Sequence, residues 1–168
     1  LDGTDDGANN IAIGRDTLGG ANCGDGSVCV GSNAGFVYTG DHLVAVGLQA
    51  ASSLTSGARN LAIGYQALQH TDTGTDNIAI GYGAMDDQDV GGSGNAADSD
   101  ANIAIGSNAM GGAWTDAKSE ANVAIGYNAM DAAMDGAGYN VGVGWSALGS
   151  LTTGDENVCV GQQSGTSI

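Results

Sequence analysis

Asn77-Ile78-Ala79-Ile80-Gly81-Tyr82-Gly83-Ala84-Met85 is one copy of a unit that the chain writes nine times. The other copies open at Asn10, Ser27, Leu43, Asn60, Asn102, Asn122, Asn140 and Asn157. Their closing glycines, Gly14 to Gly161, follow one another at intervals of 17, 16, 17, 17, 25, 20, 18 and 17 residues. A near-constant period with longer insertions at two or three joints marks a solenoid. Each unit is one coil, too small to bury its own apolar face, and stacking supplies the cover.

Within the unit, positions two and four are Ile, Leu or Val in every copy. β-branched residues at spacing two define a short strand with one strongly apolar face. The expectation is therefore an all-β protein: a single parallel β-solenoid, or β-roll, over residues 1–168. Its nine or so coils begin near 10, 27, 43, 60, 77, 102, 122, 140 and 157, with a loop insertion at 86–101. Stacked at about 4.8 Å, nine coils make a short rod roughly 43 Å long. The Ile/Val/Leu positions are expected to form continuous ladders inside it.

The position between the two large residues is never charged and never larger than Cys. It is Ala12, Cys29, Ala45, Ala62, Ala79, Ala104, Ala124, Gly142 and Cys159. A solvent face tolerates Lys, Glu, Thr or Gln, so a column this small means that something packs closely against it. Two occupants fit: a second strand or loop of the same coil, or a neighbouring chain around a shared axis. The second is the working expectation, which makes these nine residues a chain–chain packing column.

The closing glycine marks a corner with φ above zero or a close backbone approach. The leading Asn suits the preceding corner, and stacked asparagines would form a ladder of amide bonds. After the glycine comes a small-then-large pair (Thr17-Leu18, Ala67-Leu68, Ala84-Met85, Ala109-Met110, Ala129-Met130, Ala147-Leu148) that reads as the second wall of each coil. Copy two lacks the Leu, and Phe36 is expected to fill its place.

The chain has 168 residues, 31 of them Gly and none Pro, with 3 Lys or Arg against 19 Asp or Glu. The net charge of −16 excludes nucleic acid as a partner, because phosphate neutralisation needs a basic surface. It disfavours an anionic membrane surface equally. No apolar run approaches the roughly 18 residues that cross a bilayer, so no membrane insertion is expected. Leu1 in place of an initiator Met reads as the start of a fragment or processed product.

Chemistry-bearing groups are sparse. Asp2, Asp5 and Asp6 in the lead-in, and Asp86, Asp87 and Asp89 in the insertion, are clustered oxygen ligands of the kind calcium takes. Ordinary turn chemistry explains them as well, so calcium is the one cofactor allowed and none is required. Cys29 and Cys159 stand in the small column as compact apolar groups, and a Cys23–Cys29 bridge is conceivable. Trp114, in the joint after the sixth strand, would either stack on a sugar ring or cover the end of a coil. His42 and His70 lie between strands outside any catalytic motif. No nucleophile elbow, phosphate loop or HExxH is present, and a non-enzymatic protein is expected.

The unit Asn-x-Ala-Ile-Gly-Tyr-x-Ala-Leu/Met, best kept in Asn60–Leu68, Asn77–Met85, Asn102–Met110 and Asn122–Met130, resembles the repeats of phage tail fibres. It is also similar to the head repeats of trimeric autotransporter adhesins. The resemblance spans residues 9 to 162 and implies a homotrimeric fibre segment, extracellular, on a virion or bacterial surface. Its implied role is attachment to a host-surface glycan or protein receptor. The period is longer than that of the adhesin heads, and no chaperone domain or membrane anchor accompanies the repeats. Two other roles stay open: a bacterial cell-surface or extracellular filament or adhesin, and a carbohydrate-binding module using the loops around Trp114.

Overall fold

A computed structural model of the chain describes residues 7–20, 22–70, 73–86, 98–115 and 117–167. Each repeat contributes one three-residue strand: β1 (Ile11–Ile13), β2 (Val28–Val30), β3 (Val44–Val46), β4 (Leu61–Ile63), β5 (Ile78–Ile80), β6 (Ile103–Ile105), β7 (Val123–Ile125), β8 (Val141–Val143) and β9 (Val158–Val160). All nine pair in parallel, in chain order, as one sheet. Every small-column residue pairs with the next, Ala79 with Ala104 for example, so like side chains stack in straight files. The parallel β-solenoid and its single sheet of coils are as the repeat period predicts.

The corners are set by backbone conformation repeated four times per coil. In the fourth coil Arg59, Gly64, Gln66 and Leu68 have φ of 59°, 138°, 58° and 56°, and the equivalent residues of the other coils follow suit. Positive φ is unfavourable by roughly 1–2 kcal/mol for a side-chain-bearing residue. Here it aims each N–H along the rod: Arg59 donates to Asp41 O, Gly64 to Val46 O, Gln66 to Leu48 O and Leu68 to Ala84 O. Only the glycine corner has no room for a Cβ. One built on Gly81 would collide with the carbonyl of Gly106 in the next coil.

The leading asparagines form the expected amide ladder. Asn77 N donates to Asn60 Oδ1 at 2.8 Å, Asn102 N to Asn77 Oδ1 at 2.9 Å and Asn122 N to Asn102 Oδ1 at 3.0 Å. The amide nitrogens of Asn60, Asn77, Asn102, Asn122 and Asn140 also donate to a carbonyl in the corner of the next coil, as Asn77 Nδ2 does to Ser99 O at 2.9 Å. The run continues through Asn140 to Asn157; Ser27 and Leu43 are the rungs without an amide, and the Ser27 hydroxyl takes over as acceptor for Leu43 N. Asn60, Asn77, Asn102, Asn122 and Asn140 are buried, so their bonds satisfy polar atoms that water cannot reach.

The direction of the strand faces is the main correction. Cys29, Ala45, Ala62, Ala79, Ala104 and Ala124 have no exposed surface in the single chain, and Gly142 is buried with them. Ala12 and Cys159, at the two ends of the sheet, are partly buried against the same core. The small column therefore faces the inside of its own coil, against Leu18, Leu68, Met85, Met110, Met130 and Leu148 of the second wall. It is not a chain–chain packing column. The Ile/Val/Leu ladders are continuous but lie outside: Ile13 is 59% exposed, Ile63 38% and Val160 71%. A coil this slim has room for one large and one small side chain across its width, and the turn wall supplies the large one.

A third file of large apolar residues closes the interior: Tyr38, Leu54, Trp114, Met134 and Leu151, each buried. Phe36 does not replace the missing Leu of the second coil. It is 41% exposed, and Gly35 holds the Leu position beside Cys29 and Leu43. Cys23 and Cys29 are not bridged to each other, and the Cys23 thiol donates to Leu18 O at 3.4 Å. Burial pushes the Cys29 thiol up to about 12, so it stays protonated and acts as an apolar filler.

Candidate functional site

Turning the β-branched residues outward leaves an unusual surface. Two parallel files run the length of the sheet: Ile11, Val28, Val44, Leu61, Ile78, Ile103, Val123, Val141, Val158, and Ile13, Val30, Val46, Ile63, Ile80, Ile105, Ile125, Val143, Val160. No residue of either file is buried. The face carries no charge in a chain of net charge −16, and its strands present no polar side chain. Three-residue strands stacked nine high make it about 10 Å wide and about 40 Å long. An uncharged stripe of that size, about 400 Å², is comparable to the largest apolar patch that ordinary monomers expose, about 300–600 Å².

Beyond the glycine corner a file of larger, mixed side chains flanks the ladders. Leu48, Tyr65, Tyr82, Tyr127 and Trp145 stand in it, 48%, 39%, 56%, 53% and 43% exposed. Tyr65 and Tyr82, on adjacent rungs, stack with ring centroids 5.5 Å apart and planes at 26°. This file is outward-facing in the single chain.

Several of the charged groups are set at the corner before each strand, while Arg15 and Asp16 follow the first strand. Arg59 makes a two-pronged pair with Asp76, Nε to Oδ1 at 2.6 Å and Nη2 to Oδ2 at 2.7 Å. Lys118 Nζ lies 2.6 Å from Asp100 Oδ2, and Asp100 Oδ1 accepts from Thr75 N at 2.7 Å. Partial burial works against the charged carboxylate of Asp100. The bonds from Lys118 and Thr75 outweigh it and hold the group below its ordinary range. Asp25, Asp41, Asp135 and Asp155 cap backbone N–H groups of the preceding coil in the same way.

Of the suggested calcium ligands, Asp2, Asp5, Asp6, Asp87 and Asp89 lie outside the described residues. Asp86 faces His70, whose Nδ1 is 3.5 Å from Asp86 Oδ1 and 2.8 Å from its backbone oxygen. Among the described residues no three acidic, His or Cys side chains come together as a metal site. Much of the insertion, 87–97, is likewise outside the described residues. Its last part belongs to the coil, where Ser99 is fully buried and its Oγ accepts from Ser119 N at 2.9 Å.

Trp114 is not available as a sugar platform. It is 2% exposed and packed into the coil interior, with its indole nitrogen unpartnered. His42 lies beside Gly26 at the corner before β3, whereas His70 contacts Asp86 beyond the second wall of the fourth coil. No helix among the described residues is long and apolar enough to cross a membrane.

No protein-family model, curated protein or solved structure matches the chain.

Proposed function

We propose that the protein is a structural segment of a trimeric fibre, of the phage tail-fibre or surface-adhesin kind, that serves attachment at a virion or bacterial surface. The observation that carries this is the exposed double ladder of Ile, Val and Leu. A straight, uncharged stripe running the length of a rod needs a partner with an equally straight, uncharged stripe and the same rung spacing. A second and third copy in register supply both. Three faces turned toward one axis would bury the ladders and leave the acidic corners of every chain in water, where 19 carboxylates per chain are best solvated. Closed cyclic symmetry also makes the contact self-limiting across the rod.

The repeat motif supports the same reading by resemblance, as does a fold whose stability comes from stacking rather than from a globular core. A parallel rod built this way suits a mechanical spacer that presents surfaces along its length. Electron micrographs of the purified chain test it. Short rods about 40 Å long with a three-lobed end-on view are expected. Single-lobed particles would refute the fibre.

A further inference from the structure

We propose that the gap at Ser107, between Tyr82 and Tyr127, is a binding slot for one pyranose ring of a neutral glycan. The three residues occupy the same place on successive coils. Asn108 N donates to Tyr82 O at 2.8 Å and Asn128 N to Ser107 O at 3.0 Å, which fixes them as consecutive rungs of one file. Tyr65 already covers one side of Tyr82, at 5.5 Å between centroids, so adjacent aromatic rungs leave no space between rings. At Ser107 a rung of the file carries a small side chain instead of a ring. Two rungs of about 4.8 Å then separate Tyr82 from Tyr127 by roughly 9.6 Å. A ring inserted midway sits roughly 4.8 Å from each aromatic, within the 4.5–7 Å range of favourable ring contact.

A pyranose chair suits this spacing better than a flat ring. Its thickness fills the gap, and its C–H faces meet the two π-faces while its hydroxyls point outward around the rim. Both tyrosines are more than half exposed, so the slot is open in the single chain. The Ser107 hydroxyl, half-buried at the floor of the gap, is the polar group at this rung. Ser32 is also a small residue in this file, but Arg15 and Leu48 bracket it, so it makes no comparable slot.

Charge selects against acidic sugars. The chain's three basic side chains, Arg15, Arg59 and Lys118, each face a carboxylate, and the net charge is −16. A uronic or sialic acid would meet repulsion with no free cation to offset it. The inference rests on the attachment reading for what the sugar is part of, and the slot is present in each chain independently.

Saturation-transfer NMR with cellotetraose and galactobiose as neutral probes, and trigalacturonate as an acidic one, tests the slot. Transfer to ring protons of at least one neutral probe is expected, with none to trigalacturonate. Ser107→Tyr completes the aromatic file as Tyr82 completes it beside Tyr65, so it should fold and assemble while losing the signal. Tyr127→Ala should weaken binding at least tenfold, and Ser32→Tyr should leave it unchanged. No transfer to either neutral probe, or transfer that survives Ser107→Tyr, overturns the slot. The mass of the same samples separates the two ideas. A trimer without transfer removes the glycan site alone, whereas a monomer removes the fibre.

Discussion

Cys29 and Gly35 complement each other across the interior of the second coil: a Cβ on Gly35 would lie 3.0 Å from Cys29 Sγ. The ninth coil repeats the relation, where a Cβ on Gly165 would meet Cys159 Sγ and Leu148. In coils with Ala in the strand, the opposite wall carries Leu or Met, or Ala51 in the third. With Cys in the strand, that wall carries Gly. The two walls share one interior, so a larger side chain in the strand goes with a smaller one opposite in these two coils.

A double-mutant cycle measures this sharing. Gly35→Leu alone should overpack the coil against Cys29, Leu43 and Leu18 and destabilise it by about 1–3 kcal/mol. Cys29→Ala alone should open a small cavity. The double variant restores the Ala/Leu pairing of the fourth coil, whose Leu68 already has φ of 56°, close to the 57° of Gly35. Urea unfolding should therefore give a favourable coupling of about 0.5–3 kcal/mol. Additive effects would show that the two walls do not share the space.

The amide ladder predicts a cost that depends on position. Asn102→Ala removes the acceptor for Asn122 N and the donor to Ser119 O, both buried. Leaving them unpaired should destabilise the rod by about 1–3 kcal/mol for each group. Asn157→Ala, in the last and partly exposed rung, loses bonds to Asn140 that water can replace and should cost much less. Equal losses at the two positions, read by thermal unfolding, would mean the ladder does not stabilise through burial.

The Lys118–Asp100 pair predicts a pH window. Asp100 is held below its ordinary 3.8, so its contribution is complete above that value and fades as pH falls through the lower folded value. The same bond raises Lys118 above 10.5, so that contribution is complete below this and fades at still higher pH. Asp100→Asn should thus destabilise the protein at pH 7, and the difference from the unmodified chain should shrink below about pH 4. A difference independent of pH would place the effect in packing instead of charge.

Which face of the strand is interior is tested by neighbours. Ile105→Lys puts a charge on the outer ladder and should abolish association while the single chain keeps its β circular dichroism. Ala104→Leu, one residue away and with no exposed surface, should disrupt the coil itself by about 1–3 kcal/mol in every chain. If Ile105→Lys unfolded the chain and Ala104→Leu merely dissociated it, the two faces would be the other way round.

The repeat period made the solenoid, its nine strands and the asparagine ladder readable, because each is a column with one chemical demand. Which strand face is buried was not readable from the column alone. Alternation of large and small defines two faces, and only the width of the coil decides that Ala79 points in and Ile78 and Ile80 point out. The pairs Cys29–Gly35 and Cys159–Gly165 were the available signal, since volume exchanged between two positions places them across one interior. The third apolar file was hidden because Leu54, Met134 and Leu151 each stand alone in polar connecting stretches. Positive φ at Leu68 and Met85 was equally hidden, as neither residue favours it and only inter-coil hydrogen bonding compensates. The column holding Tyr82, Ser107 and Tyr127 was readable from the repeat, whereas the exposure of both tyrosines and the stacking of Tyr65 on Tyr82 were not.

Sedimentation equilibrium of the purified chain at micromolar concentration in non-denaturing buffer tests the outer ladder as a chain–chain interface most directly. With a chain mass of 16.4 kDa, a single species of about 49 kDa is predicted, reduced to one chain by Ile105→Lys. A stable species of 16.4 kDa for the unmodified protein would contradict it.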